Sequence, residues 1–211
     1  MQKISNKFLK GYQTFRQKYA TGDQPIMDSL ATLGQTPEIM VVTCCDSRVD
    51  PALILQCNPG DLFVVRNVAG IVPPYEQGSA YHGTSAALEF GIRFLKTKHL
   101  IILGHSQCGG IQTIIEPDQK KQTDFIKNWV SLVKTNHAQG EDMDAYAKRS
   151  LGISCQNCLT FPWIRKRVAR SELNIHLWFF EIKTGTIFVQ SPESGSYEEL
   201  GVDASPIPLV G

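Results

Sequence analysis

The amino-acid sequence lacks several features, and each absence excludes a class of protein. No apolar run reaches the roughly 20 residues that a membrane-spanning helix needs. Neither charge predominates, because 21 Lys and Arg face 20 Asp and Glu, whereas a nucleic-acid binder needs a basic surplus or a basic stripe. The N-terminus has no apolar stretch of the kind found in a secretory signal. We therefore expect a cytoplasmic protein that neither spans a membrane nor binds nucleic acid.

Cysteine is also sparse, with six residues in a chain of 211. This number is too small for a disulfide scaffold, and the chain is long enough to bury a single substantial core without one. The hydrophobic fraction of 42% excludes a disordered chain. In a reducing compartment, clustered cysteines more often bind metal or take part in chemistry. Their positions are therefore informative: Cys44, Cys45, Cys57, Cys108, Cys155 and Cys158.

Three short runs rich in β-branched residues are typical of strands buried on both faces of a parallel sheet. They span residues 39–44, 62–65 and 99–103. Before them, residues 1–30 carry Phe, Leu, Tyr and Ile at helical spacing, which predicts one or two amphipathic helices. We expect these residues to form an N-terminal helical arm, and residues 31–211 to form one domain.

Helical patterns separate and follow the three strands. Residues 83–95 are predicted to be helical, as are residues 124–168, with breaks near Gly140 and Gly152. A fourth strand is predicted over residues 174–182, with a hairpin partner at residues 186–189. Strands that alternate with helices predict an α/β fold, here a mainly parallel sheet of about four or five strands flanked by helices.

Chemistry in such sheets collects at the carboxyl ends of the strands. Cys44 ends the first predicted strand, and His105 and Cys108 follow the third. If these strands are neighbours, two thiols and one imidazole meet, a set that suits Zn²⁺ and leaves a fourth tetrahedral position for water. Spacing alone leaves a second interpretation open, in which the cysteines are packed in the core and the histidine is a hydrogen-bonded loop residue.

Two further groups of residues invite a functional interpretation. Asp46 and Arg48 can form a charge-assisted pair in the turn after the first strand, although the spacing by itself favours an ordinary surface salt bridge. Cys155 and Cys158 form a C-x-x-C pattern whose spacing puts both thiols on one face of a helix. They are either buried helical cysteines, a redox pair, or partners of Cys44 and Cys45 in a four-cysteine zinc site.

Taken together, these motifs resemble those of the β-class carbonic anhydrases. The family's C-x-D-S-R motif is present as residues 44–48, its H-x-x-C as residues 105–108, and its F-V-x-R-N-V-A as residues 63–69. Gln35 is similar to the glutamine of the plant-like, open-site branch. The resemblance covers roughly residues 30 to 190. It implies a zinc-dependent lyase, a carbonate dehydratase that interconverts CO2 and bicarbonate by means of a zinc-bound hydroxide.

The resemblance also implies a role for individual residues. One Zn²⁺ per subunit is bound by Cys44, His105 and Cys108, and the Asp46–Arg48 pair is the catalytic dyad. Gln35 donates a hydrogen bond to the developing bicarbonate. The pocket that holds CO2 is formed by Phe63, Val68, Phe90 and Gly109. Relatives share their sites between subunits, so we expect a dimer or a multiple of dimers, with the N-terminal arm packed on a partner subunit.

Several positions depart from patterns found among relatives. Val41 and Thr43 stand where closed-site relatives carry Trp and Gly, so we expect an open site in which Asp46 stays paired with Arg48. Cys45 stands where Ser or Ala is usual, and Gly70 where Asn is usual. Two other functions remain compatible with the sequence: hydrolysis of CS2 or COS on the same fold, and a non-catalytic zinc or thiol redox sensor. A purely structural zinc would not need the Asp46–Arg48 pair.

Overall fold

A six-stranded sheet forms the centre of the protein, in the order β2-β1-β3-β4-β5-β6. The computed structural model describes residues 5–22, 25–78, 82–116, 123–135 and 141–201. The strands β2, β1, β3 and β4 are parallel to one another. Strand β5 is antiparallel to β4, and β6 is antiparallel to β5. The strands are β1 Ile39–Cys44, β2 Leu62–Asn67, β3 His99–His105, β4 Asn174–Glu181, β5 Thr186–Gln190 and β6 Tyr197–Glu199.

Helices precede the sheet and connect its strands. They are α1 Asn6–Arg16, α2 Ile26–Leu33, α3 Pro51–Ile54, α4 Gly83–Glu89, α5 Gly109–Ile115, α6 Ile126–Val130, α7 Met143–Thr160 and α8 Pro162–Ala169. A π-helical turn extends α1 over Gln17–Thr21, and another extends α4 over Phe90–Phe94. Within the described residues, none of these helices combines the length and the hydropathy that a bilayer span requires.

The two central strands explain the apolar runs in the sequence. In β1 every residue from Met40 to Cys44 is buried, and in β3 every residue from Leu100 to His105 is buried. A strand covered on both faces needs apolar side chains at successive positions and not only at alternate ones. The α/β fold and the mainly parallel sheet predicted from the sequence are thus confirmed. The N-terminal segment, where one or two helices were predicted, forms α1 and α2, and α2 extends to Leu33.

Two predicted details are wrong. The sheet has a sixth strand, β6, whose three residues are too few to give a periodic signal. Gly152 does not interrupt a helix but lies inside α7, which runs unbroken over 18 residues. A helical glycine costs about 1 kcal/mol, and α7 offsets this cost by burying one face, with Leu151 in contact with Gly104 of β3. The break predicted near Gly140 lies outside the described residues.

The direction of the parallel strands gives the sheet two distinct edges. The carboxyl edge is where β1, β2, β3 and β4 end, and the amino edge is where they begin. The N-terminal helices contact the amino edge: the Tyr19 hydroxyl donates to Asn58 Oδ1 at 3.2 Å, and Leu30 lies against Gly60, just before β2. This arrangement decides which of the predicted site residues can meet within one chain.

Candidate functional site

Cys44, His105 and Cys108 converge at the carboxyl edge. Strands β1 and β3 are direct neighbours, with Thr43 paired with Leu103, so the residues that follow them lie side by side. Cys108 is the N-cap residue of α5, immediately after the turn that follows β3. The three ligand atoms lie within 4.8 Å of one another, and all three residues are buried. The convergence predicted from the two strand ends is therefore present.

The ring of His105 is oriented for metal binding. Its Nδ1 lies 2.9 Å from the carbonyl oxygen of Ser106, and because a carbonyl can only accept, Nδ1 carries the proton and donates it. Nε2 then holds a free lone pair. This Nε2 atom is buried and has no hydrogen-bond partner in the described part of the chain. A buried acceptor without a partner costs free energy, and a metal ion would satisfy it.

The two thiols perturb each other strongly. The Cys108 thiol donates a hydrogen bond to Cys44, and this bond holds the pKa of Cys44 well below its ordinary value. The same contact, together with burial, raises the pKa of Cys108. Backbone amides of Ile111 and Gly110 favour the Cys108 thiolate. Two sulfurs and one imidazole nitrogen in this arrangement fit Zn²⁺.

Asp46 and Arg48 form a bidentate pair beside this centre. Arg48 Nε donates to Asp46 Oδ1 at 3.0 Å, Nη2 donates to Oδ2 at 2.7 Å, and the Arg48 backbone N–H donates to Oδ1 at 2.9 Å. These hydrogen bonds hold the pKa of the Asp46 carboxyl well below its usual range. Asp46 is not a member of the Cys–His–Cys group. The pair therefore presents an ionised carboxylate that is oriented by Arg48.

Arg66 supports the turn after Cys44 and was given no role by sequence reasoning. Its Nε donates to the Cys44 carbonyl at 3.1 Å, and its Nη2 donates to the Asp46 carbonyl at 2.7 Å. Its Nη1 is paired with Asp50 Oδ2 at 2.8 Å. One guanidinium thus holds three points of the loop. The sequence pointed to a role for Arg66 only through its position in the F-V-x-R-N-V-A motif at residues 63–69.

The turn after β2 lies directly behind Cys44. Asn67 holds this turn, since its Oδ1 accepts from the Ile71 N–H at 2.8 Å and its Nδ2 donates to the Ile71 carbonyl at 2.9 Å. Ala69 and Gly70 both have positive φ, at 64° and 63°. Asn is among the residues that tolerate this left-handed conformation best after glycine. Glycine adopts this conformation most readily, which explains why Gly70 suits its position.

The predicted pocket residues fall into two separate groups within one chain. Val68 and Gly109 lie at the carboxyl edge, Val68 in contact with Gly110 and Gly109 next to Cys108. Phe63 and Phe90 contact each other with ring centroids 5.9 Å apart. Phe63 is paired with Met40 of β1, and at about 3.3 Å per residue Met40 is roughly 13 Å from Cys44 along the strand.

Gln35 also lies away from Cys44, His105 and Cys108 of its own chain. It is exposed, between the end of α2 and the start of β1 at the amino edge. Nearby Glu38 accepts backbone hydrogen bonds from Lys98 and His99 at the start of β3. A single chain therefore does not bring Gln35 together with Cys44.

The remaining cysteines are not part of the metal-ligand group. Cys45 is exposed next to Cys44, and its backbone N–H donates to the Asn67 carbonyl. Cys155 and Cys158 lie on α7, and burial raises the pKa of both thiols. Over the described ranges, the one group of three or more ligand residues is Cys44, His105 and Cys108. A four-cysteine zinc site is thus not formed.

Comparisons with known proteins give a consistent picture. Residues 39–187 match the family model described as carbonic anhydrase. A carbonic anhydrase from Synechococcus elongatus is 30% identical over 216 aligned positions, which cover 97% of this chain and 78% of that protein. The structure of the β-carbonic anhydrase CcaA is similar with a TM-score of 0.81, at 29% identity, over 92% of this chain and 98% of that one. One of two tetrameric β-carbonic anhydrases from Sordaria macrospora has a TM-score of 0.76 at 29% identity, over 93% and 98% of the two chains.

Proposed function

This chain belongs to the β-class carbonic anhydrase family, and we propose that it catalyses CO2 + H2O ⇌ HCO3⁻ + H⁺ with one zinc ion per subunit. The observation that carries the proposal is the buried Cys44–His105–Cys108 group, whose ligand atoms lie within 4.8 Å and whose His105 Nε2 has no other partner in the described chain. When bound, zinc supplies a hydroxide nucleophile by lowering the pKa of a coordinated water from about 15.7 toward 7.

The Asp46–Arg48 pair contributes orientation. Because Arg48 keeps Asp46 ionised, the carboxylate can only accept hydrogen bonds. Asp46 therefore orients an attacking O–H group with its hydrogen toward the carboxylate, which leaves the oxygen lone pair for CO2. Arg48 binds both carboxylate oxygens and so keeps Asp46 from competing for the metal. This arrangement supports an open site.

The substrate pocket is proposed to be shared by two chains. Gln35, Phe63 and Phe90 lie at the amino edge, at least roughly 13 Å of strand from Cys44, so they can serve only the site of another copy. Phe90 is 45% exposed, and beside it Phe94 is 67% exposed. A second copy would cover these rings, bring Gln35 to the developing bicarbonate, and complete an apolar pocket with Val68 and Gly109 for an uncharged substrate.

The N-terminal arm, residues 1–30, is proposed to pack on the same partner subunit. In its described part, α1 has no buried residue, and its apolar side chains are exposed: Phe8, Leu9, Tyr12 and Phe15. An exposed row of large apolar side chains marks an interaction surface. A dimer or a multiple of dimers follows, and tetramers occur among structural relatives.

The function is tested by stopped-flow CO2 hydration, with zinc measured in the same preparation. We expect about one zinc per subunit and rapid hydration that disappears when the metal is removed. Zinc-loaded protein without CO2 hydration would contradict the proposal. COS and CS2 are assayed in parallel, since turnover of either without CO2 hydration would favour the hydrolase alternative, and turnover of none would favour a zinc or thiol sensor.

The cytoplasm is the proposed location. None of the six cysteines forms a disulfide bond, and Cys45 is exposed next to Cys44. Thiols persist in this state in a reducing compartment. Fractionation of the source cells with an antibody against the chain tests this location, and recovery of the protein outside the cytoplasmic fraction would contradict it.

A further inference from the structure

The turn that connects His105 to Cys108 is held from outside at Gln107. The backbone of Gln107 has φ +53°, a left-handed conformation that is disfavoured for a residue with a Cβ. Its N–H donates to Asp144 Oδ1 at 3.0 Å, and its carbonyl accepts from Arg48 Nη2 at 3.2 Å. The backbone of one strained residue therefore links an acidic side chain of α7 to the arginine that orients Asp46.

The preceding residue, Ser106, is held independently of Asp144. Its Oγ donates to Glu181 Oε1 at 2.9 Å and accepts from the Ile182 N–H at 2.9 Å. Its N–H donates to the Phe180 carbonyl at 3.0 Å. Strand β4 thus anchors the beginning of the turn. The orientation of Gln107 has its own anchor, which is the carboxylate of Asp144.

Asp144 is well placed to hold Gln107 and is not needed to begin its helix. Asp142 is the N-cap of α7, and its side chain accepts from the Ala145 N–H at 3.1 Å. Helix α7 is itself fixed on β3, where Leu151 contacts Gly104. Asp144, half-buried in the first turn of this helix, therefore projects from a rigid element.

We propose that Asp144 is a positioning residue for CO2 hydration, acting through the backbone of Gln107 on Arg48. By accepting the Gln107 N–H, Asp144 stabilises the left-handed conformation that turns the Gln107 carbonyl toward Arg48. Arg48 is then held by this carbonyl on one side and by Asp46 on the other, which fixes the carboxylate beside the metal centre. The inference rests on the proposed function, since it assigns Asp144 a role in that reaction.

The test compares Asp144→Ala with Asp144→Asn and with Asp142→Ala as the matched control. Asp144→Ala should lower kcat about tenfold, as expected for one lost hydrogen bond to a charged group, and leave KM within about twofold. Asp144→Asn should recover most of kcat, because its amide oxygen still accepts the Gln107 N–H. Asp142→Ala removes a charge from the same turn and weakens the helix, but should leave kcat near wild type.

A second variant separates positioning from a general structural role. Glycine adopts positive φ without steric cost. Adding Gln107→Gly to the Asp144→Ala variant should therefore restore part of the kcat that Asp144→Ala alone loses. Hydrogen exchange gives a readout besides activity: the Gln107 amide should exchange faster in Asp144→Ala than in Asp142→Ala. Zinc content should be equal in all variants.

Several outcomes would overturn the inference: equal kcat in Asp144→Ala and Asp142→Ala, no recovery with Gln107→Gly, or loss of zinc from Asp144→Ala. Failure of the proposed function is distinguishable, since zinc-loaded wild-type protein would then not hydrate CO2 at all. In that case exchange at the Gln107 amide would still report whether Asp144 holds the turn.

Discussion

Gly70 lies directly against the backbone of Cys44. A Cβ at position 70 would be 3.1 Å from the Cys44 amide nitrogen and 3.1 Å from the Thr43 carbonyl carbon. Backbone atoms at the end of a buried central strand cannot move aside as a flexible side chain can. The turn after β2 thus forms the wall behind Cys44, and any side chain at position 70 presses on the backbone of that residue.

Gly70→Ala is expected to lower the free energy of unfolding by about 2–3 kcal/mol, because it adds a steric clash to an unfavourable left-handed backbone. Gly185→Ala is the control. Gly185 has φ +73° but nothing within 4 Å of a Cβ, so its cost should be only about 1 kcal/mol. Urea unfolding of the zinc-loaded proteins gives both values. Equal losses would show that the contact with Cys44 has no energetic weight.

Cys108→Ala is expected to abolish stable zinc binding, since two protein ligands remain and one buried thiolate has lost its partner. Zinc per subunit, measured after dialysis against a weak chelator, checks this. The control is Cys155→Ala/Cys158→Ala, two thiols of α7 outside the ligand group, which should retain about one zinc. Full occupancy in Cys108→Ala would refute the ligand set.

Arg48→Lys is expected to lower kcat by about 10- to 100-fold, because lysine cannot make the two parallel hydrogen bonds to Asp46. Zinc content should not change. Arg93→Lys serves as the control, since Arg93 forms an exposed salt bridge with Glu89, and its kcat should match wild type. A wild-type kcat for Arg48→Lys would mean that the bidentate geometry is not required.

Acid is expected to weaken the fold through His176. Burial, followed by the charge of His99, lowers the pKa of His176, and His99 Nδ1 lies 3.1 Å from His176 Nε2. The unfolded chain, with a histidine pKa of about 6.5, then binds more protons than the folded one. The stability from neutral His176 is therefore present above about pH 6.5 and lost as the pH falls through the lower, folded pKa.

His176→Gln should consequently lose less stability than wild type between pH 7.5 and pH 5.5. Chemical denaturation at both pH values measures the difference, with His82→Gln as the control variant. The facing groups that carry charge, Glu38 and Lys98 near His99, are unchanged in both variants. An identical pH dependence in His176→Gln and wild type would remove His176 as the cause.

Mixed dimers are expected to recover activity that neither parent has in full. Gln35→Ala chains retain the zinc ligands but lack the amide, and Cys108→Ala chains retain Gln35 but lack zinc. If Gln35 serves the site of the other subunit, a hybrid contains one complete site. After the two variants are mixed and allowed to exchange subunits, CO2 hydration should exceed the sum of the separate variants. Light scattering establishes the dimer, and an active monomer at micromolar concentration would contradict the shared site.

The central strands and the candidate metal-binding residues could be predicted because their signals are local. A strand buried on both faces needs successive apolar residues, and this pattern identified β1 and β3 within a residue or two. The residues that follow such strands lie at the carboxyl edge of any parallel sheet. Cys44, His105 and Cys108 could therefore be chosen from the sequence, on the condition that β1 and β3 were neighbours.

Whether β1 and β3 are neighbours depends on how the whole chain folds, and so does every contact between residues that are distant in the sequence. The pairing of β1 with β3, the contact of Asp144 with Gln107, and the separation of Phe63 from Cys44 join or divide residues that are far apart in the chain. No local sequence pattern predicts that Asp144 of α7 will contact the backbone of Gln107, which lies 37 positions away in the chain. The order of residues along the chain sets which chemical groups stand at the ends of strands, because side-chain periodicity and the burial of a strand are local properties. Their neighbours were decided by the sheet order and by the packing of α7, since those contacts exist only after the chain has folded.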